Sequence, residues 1–268
     1  MNSRVIKNIS KSDMGKYQRC PYQFYLKVVL GLHTDFNPGE AAIKGIFYHD
    51  WFEDFFNIYK YEDLRRGKIV TFKDKIKQTF YDFEMRRAQK LEWKYWMPIR
   101  EFYTRTKRGQ HGYIDRIQML PDNTAMVIEY KPKHRDSYFY EMGFYSEMLE
   151  NSMNVQPKIK VSKWGCFYYR TREFRVWDVD RDYIKNVVMK MFEEVKHKIV
   201  LNDNSLKSRD VSSCRYCDYS KMCGELLLGI TTEQLLIREQ ELANKERSYR
   251  EVSDVTDEWN KAVFRAHK

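Results

Sequence analysis

Two carboxylates and an ammonium in mid-chain have the types and spacing to hold a hard cation and handle a water molecule. They are Asp115, in Gly112-Tyr113-Ile114-Asp115-Arg116-Ile117, and Glu129 and Lys131, in Val127-Ile128-Glu129-Tyr130-Lys131. Two carboxylates brought together repel unless a cation lies between them, and oxygen donors of this kind suit Mg²⁺ or Mn²⁺. A lysine beside them can orient or help deprotonate a water for attack on a phosphodiester, with the cation stabilising the charge that develops.

For this to work, Glu129 and Lys131 must share one face of a strand, with Ile128 and Tyr130 on the other, and a neighbouring strand must carry Asp115 alongside. The pattern provides such strands. Apolar spacing shortens after Ile99, and Pro121-Asp122-Asn123 marks a turn, giving strands near Phe102–Thr106, Gly112–Leu120 and Thr124–Lys131. Helices are expected from Ser10 or Ser12 to Tyr25, over Ala41–Tyr59 with its aromatic face buried, over Lys73–Trp93 and over Arg135–Glu150. Strands at Trp164–Arg170 and Phe174–Asp178 follow, then a helix at Tyr183–Val200 with Val187, Met191 and Val195 on one face. This alternation predicts an α/β (α+β) domain with a central mixed sheet flanked by helices.

The five cysteines offer a second kind of chemistry. Cys214-Arg215-Tyr216-Cys217 and Cys223 form C-x2-C-x5-C, three thiols able to wrap one centre, and Cys20, before Pro21, is the candidate fourth ligand. Four thiolates suit either zinc or a [4Fe–4S] cluster. Cys166 sits in an apolar strand pattern and reads as buried bulk.

Composition narrows the setting. Of 268 residues, 48 are Lys or Arg and 38 Asp or Glu, a formal charge of +10. Residues 225–268 hold more acidic than basic groups, so the excess lies in residues 1–224, a field that favours phosphate backbones. Basic residues interleave with aromatics at Arg100–Arg108 (Phe102 and Tyr103 among them), and Lys131-Pro132-Lys133-His134-Arg135 adds a basic loop. They could track phosphates while rings stack unpaired bases. No apolar run is long enough for a bilayer span and no signal peptide is evident, so a cytoplasmic location without membrane attachment is expected.

The Asp115, Glu129 and Lys131 set resembles the PD-(D/E)XK nuclease superfamily, in which an Asp closes one strand and an (Asp/Glu)-x-Lys lies on the next. Gly45-Ile46-Phe47-Tyr48-His49 is similar to the Gly-x-x-x-His motif of the RecB-like branch. Glu141-Met142-Gly143-Phe144-Tyr145 stands where that branch has Gln-x-x-x-Tyr, with Glu in place of Gln. One early cysteine and three late ones bracketing this core resemble the iron-sulfur Cas-four/AddB-type exonucleases.

The resemblance implies a restriction-endonuclease-like core whose metal is held by His49, Asp115, Glu129 and the Tyr130 carbonyl. It assigns catalytic roles to Asp115, Glu129, Lys131, Glu141 and Tyr145. Cys20, Cys214, Cys217 and Cys223 would hold a [4Fe–4S] cluster joining the N- and C-terminal segments, with zinc as the alternative. The expected activity is a metal-dependent DNA exonuclease on single-stranded or frayed ends, the alternatives being a structure-specific endonuclease or a catalytically silent DNA-binding subunit. Residues 1–224 would form the nuclease domain. Residues 225–268 would form a C-terminal helical appendage able to meet a protein partner; the oligomeric state is open.

Overall fold

The computed structural model describes residues 8–34, 39–155, 157–238 and 240–241. In chain order the elements are β1 (Ile9–Ser10), α1 (Lys11–Arg19), α2 (Pro21–Phe24), α3 (Glu40–Ile58), α4 (Tyr61–Arg65), α5 (Lys75–Lys90) and α6 (Trp93–Trp96). Next come β2 (Ile99–Arg105), β3 (Gln110–Met119), β4 (Ala125–Lys131), α7 (Ser137–Glu150), β5 (Val161–Tyr168), β6 (Glu173–Asp178), α8 (Arg181–Tyr183), α9 (Lys190–Val200) and α10 (Ser220–Leu227). The chain divides into two compact units, one of residues 1–15 and 37–203 and the other of residues 16–36 and 204–268.

The first unit is a mixed α/β sheet in the order β1-β3-β4-β5-β6, with β2 also paired to β3. Strands β2, β3 and β4 are antiparallel neighbours, β4 and β5 run parallel, and β6 returns antiparallel to β5. Parallel neighbours cannot be joined by a hairpin, and α7 supplies the crossover. The β3–β4 turn forms where the breaker residues lie: Asp122 accepts from the Thr124 N–H, and Asn123 adopts φ 62°. Glycine is needed at position 143 of α7, because a Cβ there would stand 2.9 Å from Val188 Cγ2.

One core is aromatic: Phe52, Phe55, Phe80, Trp96, Tyr130 and Phe167 are buried together. A buried ion pair, Arg116 to Glu84 at 2.8 Å, anchors β3 to α5 beside these rings. Helix α5 starts at Asp74, whose carboxylate caps the Ile76 and Lys77 N–H groups and accepts from Tyr48 Oη.

Three local expectations change. The N-terminal helix breaks at Cys20, which adopts an extended conformation, before α2 and a π turn at Tyr25–Val29. The aromatic face of α3 is not fully buried: Ile46 and Phe47 are exposed, and Lys77 Nζ lies 4.5 Å from the Phe47 ring centre. A π turn at Ile184–Met189 precedes α9 and shifts the helical register, so Val188, Phe192 and Val195 are buried while Val187 is exposed.

The second unit gathers Cys20, Tyr22, Leu26, Leu32, Tyr219 and Leu235 into a small core. The expected appendage is described only as far as residue 241; Leu242, Tyr249, Val252, Val255, Trp259 and Val263 lie outside the described residues.

Candidate active site

Strand alternation places Glu129 and Lys131 on one side of β4. The β3–β4 register pairs Arg116 with Ile128, and one step further sets Asp115 opposite Glu129. Glu129 is buried and neither of its oxygens receives a directed hydrogen bond, although Lys131 Nζ stands 2.8 Å from Oε2. Burial and the neighbouring Asp115 charge push its carboxyl up to about 7, against the pull of Lys131 and Lys11.

Helix α3 brings His49 to Asp115. His49 Nε2 lies 2.8 Å from Asp115 Oδ2, while Nδ1 lies 2.6 Å from Glu53 Oε1, one helical turn on. Burial opposes the imidazolium, but hydrogen bonding to Asp115 and the Asp115 and Glu53 charges outweigh it and lift His49 to about 9. Burial likewise opposes ionisation of Asp115, yet His49⁺, Lys131 and Lys11 hold it down at about 2. A protonated imidazole is thus the counter-charge of Asp115.

Glu101, on edge strand β2, joins them. Ligand atoms of His49, Glu101 and Asp115 all lie within 4.8 Å of one another. The β2–β3 ladder runs from Arg100↔Arg116 to Phe102↔Ile114, and at the step between them Glu101 takes φ 43°, the left-handed region that costs a non-glycine residue energy. Burial and the Glu53 and Asp115 charges push its carboxyl up to about 8.

On the other side of the site, Lys131 is held between Glu129 and Glu141, the latter at 2.6 Å. Burial would lower its pKa, but Glu129, Glu141 and Asp115 raise it well above the ordinary value, so it is an ammonium. Glu141 also accepts from Lys11 Nζ at 3.0 Å, and both lysines keep it ionised despite its burial. Lys11 Nζ lies 5.5 Å from the ring centre of Tyr145. Burial and the surrounding carboxylates raise the Tyr145 phenol well above its usual range, so it keeps its proton and can donate it in a hydrogen bond.

The structure therefore brings together His49, Asp115, Glu129, Lys131, Glu141 and Tyr145. The Tyr130 ring packs against Phe52 and Phe80 and meets the His49 ring edge-on at 5.5 Å between centres. Lys11, Glu53 and Glu101 are additions the sequence reading missed; the i,i+4 spacing of His49 and Glu53 was the one signal available for them. Glu129, buried beside Asp115 with Lys131 Nζ as its close cationic neighbour, and the nitrogen and oxygen donors around it fit a divalent cation of the Mg²⁺ or Mn²⁺ kind.

In the second unit Cys20, Cys214, Cys217 and Cys223 line one cavity of about 160 Å³, with Arg209 and Tyr219 also on its wall. Burial, followed by neighbouring thiols, raises Cys217 above the ordinary thiol value, and burial also raises Cys223. Cys166 is apart from them, fully buried in β5.

No curated protein matches the chain. Among the described residues, no helix is long and apolar enough to cross a membrane. Residues 8–224 match the family model of the PD-(D/E)XK nuclease superfamily, a span that contains every side chain of the carboxylate–lysine site and all four cavity-lining cysteines. With that match over most of its length, the chain belongs to the PD-(D/E)XK nuclease superfamily.

Proposed function

We propose that the protein is a Mg²⁺- or Mn²⁺-dependent deoxyribonuclease that works as an exonuclease on single-stranded or frayed DNA ends. The observation that carries this is Glu129, buried beside Asp115 with neither oxygen in a directed hydrogen bond, a side chain that the protein alone leaves incomplete. His49, Asp115, Glu129 and the Tyr130 carbonyl would hold the cation. When bound, it lowers the pKa of a coordinated water and stabilises charge on the phosphoryl oxygens. Lys131, kept as an ammonium, orients that water and the scissile phosphate rather than acting as a base. Glu141 fixes Lys131 in place, and Tyr145 offers a hydroxyl proton to the same strand. Preference for ends and for single strands extends the RecB-like motif order.

The four cysteines are assigned a [4Fe–4S] cluster, with the nuclease module over residues 1–224 and residues 225–268 an appendage open to a protein partner. The [4Fe–4S] assignment draws on the chemistry of four thiols around one cavity: such a set binds soft centres, and ligands distant in sequence turn binding energy into folding energy.

Purified protein should degrade linear single-stranded DNA only with Mg²⁺ or Mn²⁺ present. Asp115→Asn and Lys131→Ala should each lower kcat by about 10³-fold with the fold intact. Cleavage undiminished in both variants would overturn the nuclease assignment. Digestion of circular single strands would instead identify an endonuclease, and DNA binding without cleavage in Mn²⁺ a silent subunit. A brown protein with visible charge-transfer absorption identifies Fe–S, and a colourless, zinc-loaded one identifies zinc.

A further inference from the structure

The β2–β3 ribbon has one covered and one open face. Thr104, Gln110 and Ile114 are buried, whereas Tyr103 and Tyr113 are 41% and 57% exposed. The antiparallel register puts Tyr103 opposite Tyr113 and Arg105 opposite His111, so these side chains share the open face. Contacts agree: the two tyrosine rings are 5.1 Å apart between centres, and Tyr103 and His111 are 6.4 Å apart. Glu101 and Asp115 are the next residues along that face. From the carboxylates outward the ribbon therefore reads acid pair, tyrosine pair, basic pair, each step spanning two residues, or about 7 Å.

We propose that this face is a track for one unpaired strand of DNA, with Tyr103 and Tyr113 stacking bases beside the scissile phosphate and Arg105 meeting the second phosphate along. The proposal rests on the nuclease reading above and deepens it by naming the substrate contacts. Two exposed aromatic rings side by side offer an apolar surface that water solvates poorly and that any base can cover, whatever its identity. The span from acid pair to basic pair, about 14 Å, is two phosphate-to-phosphate steps of an extended strand, with bases free to lie on the rings between them; a duplex keeps its bases stacked on each other and presents none to the rings. The charge order is complementary as well, because the acid pair needs a cation before it can accept phosphate, whereas Arg105 accepts it directly.

The test is fluorescence anisotropy of the full-length protein in EDTA with a labelled oligothymidylate, an abasic strand of equal length and a duplex. Tyr103→Ala and Tyr113→Ala should each weaken oligothymidylate binding about tenfold, with Phe at either position restoring it and duplex binding unchanged. Wild type should bind the abasic strand as weakly as the double alanine variant binds oligothymidylate, and the double variant should not distinguish the two strands. Oligothymidylate affinity unchanged in the double variant, or an equal loss for the duplex, overturns the track. Because binding is read without metal, a protein that binds this way yet never cleaves DNA keeps the track and loses the nuclease reading. One that cleaves but ignores both tyrosines does the reverse.

Discussion

The carboxylate–lysine site and the cysteine-lined cavity partner their polar groups in opposite ways. At the carboxylate site, protein charges already occupy most of the cation's role: His49 is clamped by Asp115 and Glu53, and Lys131 by Glu129 and Glu141. Around the cysteine cavity the thiols have weaker contacts: Cys20 Sγ accepts from the Asp210 N–H at 3.4 Å, and Cys214 Sγ lies 3.9 Å from the Asp210 carbonyl oxygen. A site that balances its own charges keeps its geometry without a cofactor and must give up protons to load one. A cofactor held by four thiols on a small core would instead contribute to the fold itself.

The largest effect should come from attacking the weaker side of this contrast. Cys214→Ser with Cys217→Ser should destabilise the second unit by more than about 4 kcal/mol, seen as rapid proteolysis between residues 204 and 238. EDTA at neutral pH should leave the first unit's proteolysis pattern unchanged. Equal protection of the second unit in the double variant would remove the distinction.

Next in size is proton release at the carboxylate site. His49 must be neutral to bind metal, and it is lifted to about 9, so rising pH favours loading. Mn²⁺ affinity measured by calorimetry should therefore increase by about tenfold per pH unit for each proton displaced between pH 7 and 9. His49→Asn should lower the slope by one proton. Glu129, pushed up to about 7, adds to the slope in the lower part of that window. A flat profile would mean that the imidazolium is not displaced.

The smallest effect concerns the residue that departs from the RecB-like pattern. Glu141 is charged where that branch has Gln, and Lys11 is in place to share the charge with Lys131. Lys11→Met alone should raise KM for DNA by about five- to tenfold, because about 1 kcal/mol of charge compensation is lost. Adding Glu141→Gln should return KM to near the wild-type value. Additive losses in the double variant would show that Lys11 acts independently of Glu141.

Much of this site could be read in the sequence because a strand converts a spacing of two into a shared face. Asp115, Glu129 and Lys131 needed only that alternation and a turn at Asp122-Asn123. Glu141 and Tyr145 came from the likeness to the Gln-x-x-x-Tyr motif, which one helical turn puts on a shared face. Lys11 and Glu101 could not be found this way. Lys11 pairs with a residue 130 positions away, and Glu101 reaches its partners through a left-handed backbone step on an edge strand that no side-chain pattern encodes. The misassigned face of the last sheet-covering helix has the same cause in another form: a π turn adds a residue to one turn and rotates all that follows. For α3, periodicity identified the helix but not how far α5 would cover it, and Phe47 is capped by Lys77 instead of being buried.

The crossover between β4 and β5 also bears on the order in which the chain assembles. Asp115, Glu129, Lys131, Glu141 and Tyr145 lie on a hairpin and the helix that immediately follows, whose contacts close short loops and form early. The groups that neutralise them arrive over longer loops, His49 across 66 residues and Lys11 across 130. On that order of loop closure the carboxylates would meet Lys131 first and His49 and Lys11 later.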